Sequence, residues 1–194
     1  MAAGLLAVSL LPNVGSAKSV TLVDATTRNG SFETGQLSPW QAVETPVKFT
    51  NAKPPLAADG KRYVAIENVA SSGRGAAGYL INHRLPARER DGQHFELEYI
   101  AWSDGKDRFL SRSAYLVFKK GKDEVVKIEI IDQGPITTEP KTYRTVFSTS
   151  YSGWDSVDLR IILRRSGPSG TRGTGYLDGV TLRQTTEAPK PTAP

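Results

Sequence analysis

Cysteine is absent from the 194-residue chain, and histidine occurs only twice, as His83 and His94. The first absence excludes a disulfide framework, thiolate zinc sites and a cysteine nucleophile, so stability has to come from a buried core. The second leaves too few imidazoles for a multi-histidine metal centre and few ways to assemble a histidine-dependent triad. A GxSxG nucleophile elbow, an HExxH helix and a phosphate-binding glycine loop are missing as well, which removes those particular mechanisms. Composition therefore leans away from an enzyme. No apolar run is long enough to span a bilayer, so no membrane span is expected.

What is present is ordinary globular material: 38% hydrophobic and 23% charged residues with 18 Gly and 12 Pro, enough for about one domain. Lys+Arg 25 against Asp+Glu 20 gives a net charge of +5, compatible in general terms with acidic surroundings. The basic residues are spread, however, from Arg62, Arg74 and Arg84 to Arg160, Arg164 and Arg165. Their one dense cluster, Lys119, Lys120 and Lys122 around Gly121, reads as a solvated hairpin tip. Nucleic-acid binding would need clustered Lys/Arg interleaved with aromatics, and that spacing is not found.

Residues 1–17 run apolar from Leu5 to Leu11 and pass through Pro12 to Gly15-Ser16-Ala17, the layout of a secretory signal although no Lys or Arg precedes the apolar run. A secreted or cell-surface protein whose domain occupies residues 18–184 is expected. Residues 185–194, TTEAPKPTAP, read as a proline-rich linker or tail of the kind that joins a module to another domain.

Between Ser19 and Gln184 apolar residues recur at every second position in short runs bounded by Gly, Pro, Asn and Asp, and helical spacing is not sustained. Eight strands are predicted, over Arg62 to Val69, Tyr79 to Leu85, Phe95 to Trp102, Ser113 to Lys119, Glu124 to Ile131, Tyr143 to Thr149, Val157 to Leu163 and Gly175 to Arg183. One or two more are expected between Val20 and Thr50. The fold class is all-β, a two-sheet antiparallel sandwich or jelly roll. Alternation assigns Phe95, Leu97, Tyr99 and Ala101 to the core, with Val157, Leu159, Ile161 and Leu163, and likewise Val126, Ile128 and Ile130.

The last strand breaks the pattern, because Asp178 has the parity of Tyr176, Val180 and Leu182 and so aims a carboxylate at the apolar side. An ionised carboxylate there needs a cation, a metal or several donors. Glu33, next to Phe32, is a second acid beside an expected core aromatic. The pair suits a shared calcium ion, a hard cation that takes carboxylate and carbonyl oxygens; the alternative is that each pairs with Arg, Lys or backbone N–H.

Asn29-Gly30-Ser31-Phe32-Glu33-Thr34-Gly35, with Leu37 and Pro39-Trp40, resembles the opening motif of the family 4 and 9 carbohydrate-binding modules and of galactose-binding-domain-like jelly rolls. Tyr176-Leu177-Asp178-Gly179-Val180-Thr181-Leu182 resembles their closing strand, with Gly179 in place of a usual second Asp, and Gly60 to Ile66 fits an intervening strand. The resemblance spans about residues 20–184. It implies a β-sandwich, a structural calcium near the junction of first and last strands with Glu33 and Asp178 at the acidic positions, and sugar binding on one sheet or at the loop tips.

Sugars are held by aromatic platforms and a few polar side chains, so exposed Trp and Tyr are the natural candidates. Trp102 lies opposite the core face in company with Glu96 and Glu98, which accept hydrogen bonds. Tyr115 is a candidate to extend the same groove, with Arg112 and Arg144 for an acidic ligand. Tyr151 and Trp154 form either a loop-tip platform or a cap on the sandwich end, while Trp40 is read as structural. Glu96 and Glu98 as a glycosidase pair lack any means of separating their pKa values. The expected function is a secreted, non-catalytic module binding a polysaccharide or glycan, with other extracellular proteins or a fused catalytic domain as further partners. The alternative is an extracellular adhesion sandwich that binds no sugar.

Overall fold

The computed structural model describes residues 18–43, 47–51, 60–68, 77–106, 110–122, 124–165 and 173–187. The expected signal segment and most of the tail lie outside them. The described residues form strands β1 (Ser19–Val23), β2 (Trp40–Val43), β3 (Val47–Asn51), β4 (Arg62–Asn68), β5 (Ala77–Leu85), β6 (His94–Ser103), β7 (Leu110–Lys120), β8 (Glu124–Pro135), β9 (Lys141–Ser148), β10 (Ser156–Arg165) and β11 (Gly173–Thr185), with one 3₁₀ turn at Glu89–Asp91. The first sheet has the order β3-β4-β11-β6-β9, with β1 also pairing β11; the second runs β2-β5-β10-β7-β8. Every pairing is antiparallel.

The inner faces meet in one core. Phe95, Leu97, Tyr99 and Ala101 of β6 and Val157, Leu159 and Ile161 of β10 are fully buried, as are Val64, Ile66, Leu116, Phe118, Leu177 and Leu182. Burial of this apolar surface is the main stabilising term for a chain without cross-links. At one side of the core Tyr99 donates its hydroxyl to Asp132 at 2.5 Å, and Arg112 holds the same carboxylate through Nε and Nη2, both at 3.2 Å.

Two of the alternation-based expectations fail at bulges. Ile128 and Ile130 are about half exposed, at 48% and 51%, instead of lying in the core. β8 is an edge strand whose register against β7 shifts twice, so Val125, Ile128 and Ile130 fall opposite Lys119, Val117 and Tyr115, the outward residues of β7. Of the three expected core residues Val126, Ile128 and Ile130, only Val126 packs against the core. On β11 the register shifts between Asp178 and Thr181, with Gly179 at φ +56°. Tyr176 therefore faces outward beside Trp102, Asp178 keeps that parity opposite Ile100, and Val180 and Leu182 point inward.

The loop between β1 and β2 fills the gap along β11 between its pairings with β1 and β4. Val180 N donates to Gly30 O at 2.9 Å, and a Cβ on Gly30 would stand 2.1 Å from Val180 O, so only glycine lets the two backbones approach. Asn29, the acceptor of a glycosylation sequon, is buried there, with Nδ2 donating to Gln36 O and Ser38 O. Trp40 is structural as expected, buried against Phe32 with Nε1 bonded to Asn29 O.

Candidate ligand-binding site

The outer face of the first sheet carries Glu96, Glu98 and Trp102 on β6, Arg144 on β9 and Thr181 and Arg183 on β11, as their register requires. Glu96 pairs with Arg144 at 2.7 Å, and Glu96, Glu98, Thr181 and Arg183 line a hollow of only about 50 Å³. Trp102 sits on the expected face but is 3% exposed, not a platform. β4, β11 and β6 are neighbours, and they pile Tyr63, Tyr176 and Trp102 together at ring separations of 5.0, 5.4 and 5.3 Å. Burial raises the hydroxyl pKa of Tyr63 and of Tyr176 above the ordinary tyrosine range.

The other predicted residues scatter. Tyr115 lies on the outer face of the second sheet, opposite Arg160, so it cannot extend a groove that begins at Trp102. Arg112 points inward, paired with Asp132 and stacked 3.6 Å above the Tyr143 ring, which removes it as a ligand contact. Trp154 caps the end of the sandwich, 3% exposed, between Phe118 and Phe95 at 5.1 and 5.9 Å. Tyr151 packs beside it and donates its hydroxyl to Glu129; that bond raises the Tyr151 pKa.

Glu33 Oε1 accepts the backbone N–H groups of Lys61 and Arg62 at 2.7 and 2.6 Å, so it caps the start of β4. The fully buried Asp178 accepts the N–H of Gly179 at 2.8 Å. Among the described residues no three acidic, histidine or cysteine side chains gather as a metal cluster. One buried oxygen in this region, Asn29 Oδ1, has no hydrogen-bond donor.

A cleft of about 1070 Å³ lies at the loop end of the sandwich. Its walls are the end of β5 with the β5–β6 connection, the β7–β8 hairpin turn, the β9–β10 connection and Thr186 just after β11. Arg84, Arg88, Arg90 and His94 line it together with Trp154 and Asp155. Backbone tethers fix the walls to one another: Gly153 N donates to Glu89 Oε2 at 2.6 Å, Gly121 N to Asp155 Oδ2 at 2.8 Å and Thr149 N to Gln93 O at 2.9 Å. The buried amide of Gln184 clamps the β5–β6 connection, its Nε2 donating to Arg88 O and Gly92 O, both at 2.6 Å, and its Oε1 accepting from Arg88 N at 3.2 Å. Gly92, at φ +118°, must be glycine, since a Cβ would stand 2.0 Å from Thr185 O.

Of the candidate residues named from the sequence, Trp154 alone lines this cleft. The signal was in Arg84-Leu-Pro-Ala-Arg-Glu-Arg90, three arginines within seven residues at the end of β5 and in the connection after it, but the partner walls come from distant segments.

No family model matches the chain, and no curated protein matches it. Solved structures do. A family 22 carbohydrate-binding module, the CBM22-1 xylan-binding domain of Paenibacillus barcinonensis Xyn10C, superposes with a TM-score of 0.60 at 13% identity, covering 88% of this chain and 97% of that one. TmCBM61, solved in complex with β-1,4-galactotriose, gives a TM-score of 0.57 at 14% identity, covering 80% of this chain and 94% of that one. The fold is the β-sandwich of carbohydrate-binding modules. The same fold also occurs within a larger enzyme-bearing chain, the enzymatically active domain of bacteriophage CBA120 tailspike protein 4, of which the match covers 21% at a TM-score of 0.57. No helix among the described residues is long and apolar enough to cross a membrane.

Proposed function

We propose that this protein is a secreted, non-catalytic glycan-binding module, akin to the family 4 and 9 modules in its end motifs, and that the loop-end cleft holds the saccharide. The observation that carries the reading is the cleft itself: about 1070 Å³, lined by guanidinium, imidazole and carboxylate groups on tethered walls. That volume suits a ligand of several sugar units, and its mixed donors and acceptors suit hydroxyls. The Glu96 and Glu98 carboxylates share one face, one of them in an ion pair, which supports a binding role over general acid and base work. Calorimetric titration of the full chain with neutral and acidic oligosaccharides tests the reading. Saturable binding is expected, and a panel with no binder sinks it. In that event the exposed stripe of Val125, Ile128 and Ile130 on the second sheet favours the adhesion alternative.

Calcium belongs to the proposal as a structural ion where the β1–β2 loop meets β11. Asp178 and the donorless Asn29 Oδ1 supply the hard oxygen chemistry such an ion takes, while Glu33 is engaged at β4. Adding calcium to chelator-treated protein is expected to raise the melting temperature by about 3–10 °C, since an ion that binds only the folded chain stabilises it by mass action. An unchanged melting temperature would overturn the calcium reading.

A further inference from the structure

We infer that the loop-end cleft selects an acidic saccharide, one bearing carboxylate or sulfate groups, through the guanidinium groups of Arg88 and Arg90. The inference rests on the glycan reading of the cleft and narrows it to a ligand class.

The charges of the cleft are not balanced internally. Its two carboxylates are already engaged: Glu89 accepts from Gly153 N, and Asp155 accepts from Gly121 N and from the Ser156 hydroxyl. Glu89 lies between Arg88 and Arg90 in sequence, yet neither guanidinium pairs with it. Among the described residues, the guanidinium groups of Arg88 and Arg90 make no hydrogen bond or ion pair. Other arginines with a carboxylate in reach have taken it, as Arg112 takes Asp132 and Arg144 takes Glu96. Two open cations therefore stand on a backbone that Gln184 has already fixed, with Arg88 N and O and Gly92 O all bonded to one buried amide.

A planar guanidinium presents paired donors that match the oxygens of a carboxylate or sulfate. Mounting two of them on a clamped loop lowers the ordering cost that binding would otherwise carry. A uniformly charged polyphosphate fits less well, because Glu89 and Asp155 sit on the same walls and repel it. A saccharide that alternates anionic groups with hydroxyls suits both signs of charge.

The test uses the full chain, a short oligogalacturonate and its methyl ester, which keeps the sugar backbone and removes the charge, with a sulfated galacto-oligosaccharide as a parallel arm. The acid is expected to bind about tenfold tighter than the ester or better, as hydrogen bonds between charged partners do, and to lose that advantage as salt rises. Arg88→Gln with Arg90→Gln is expected to remove the advantage of the acid over the ester, with some loss of ester binding as well because the same donors reach hydroxyls, while the melting temperature stays unchanged because both side chains are exposed. The sulfated arm shows whether carboxylate or sulfate is preferred, and either result supports the inference. Equal binding of acid and ester in both arms overturns the acidic selection and leaves the glycan reading standing. Absence of binding by any saccharide overturns both. An acid preference that survives the double substitution, or polyphosphate binding as tight as the acidic sugars, also overturns the assignment to this cleft.

Discussion

Replacing Trp154 with alanine is expected to lower the unfolding free energy by about 3–5 kcal/mol and the melting temperature by roughly 10 °C. The indole is 3% exposed and wedged against Phe118 and Phe95, so truncation leaves a cavity where the two sheets close. Its Nε1 donates to Tyr151 O at 3.0 Å, and alanine would leave that carbonyl without its donor. Trp154 is also a wall of the cleft, so the β9–β10 connection should loosen and saccharide affinity should fall with stability. Trp154→Phe refills most of the volume without the N–H and is expected to recover more than half of the lost stability. Chemical denaturation of the two variants beside the parent measures this. A loss below 1 kcal/mol for the alanine variant would show that the ring is not a wedge in the core.

The fold was legible because its central strands alternate without interruption. Val157 to Leu163 and Phe95 to Ala101 show the period-two pattern in full, and each expected core side chain is buried. The reading failed where strands bulge, since one inserted residue reverses the face of everything beyond it. Gly179 on β11 and the two register shifts on β8 are such places, and they misplaced the parity of Asp178 and the burial of Ile128 and Ile130. The face of Trp102 was legible but its exposure was not, because the Tyr63 and Tyr176 rings that surround it come from other strands. The candidate site was least legible of all. Its walls are four separate segments whose adjacency depends on the sandwich having closed, and loop residues carry no periodic signature of where they meet.

A second large effect is expected at Asp158, on the outer face of β10 yet fully buried. Its carboxylate pairs with Lys119 Nζ at 2.7 Å, accepts the backbone N–H of Arg84 at 2.8 Å and meets His83 Nδ1 at 3.1 Å, with His83 Nε2 2.9 Å from Gln41 Oε1. Lys119 was expected to be part of a solvated hairpin tip; its side chain is only 13% exposed because this pairing draws it over the sheet. Burial alone would raise the Asp158 pKa, but Lys119, the Arg84 N–H and His83 outweigh it and hold the group below the ordinary carboxylate range. Asp158→Ala strands a buried ammonium and a backbone donor, and is expected to cost about 3 kcal/mol, the low end for a broken buried pair because His83 reaches solvent. Asp158→Asn keeps an acceptor for Arg84 N and is expected to cost less. The pH dependence has a definite sign. A carboxylate whose folded pKa is depressed stabilises fully above its unfolded value and loses that contribution as pH falls through its folded value, so the gap between parent and Asp158→Asn narrows below about pH 4. Denaturant titrations at pH 7, 5 and 3 read this directly, and a gap as wide at pH 3 as at pH 7 would refute the pairing. The consequence reaches the cleft as well. Arg84 holds a left-handed backbone at φ +50° with its N–H on Asp158 Oδ1, so removing the carboxylate releases one of the cleft's basic walls. Acidic-saccharide affinity is therefore expected to fall in Asp158→Ala even where the chain remains folded, joining the buried ion pair of the second sheet to the binding surface at its end.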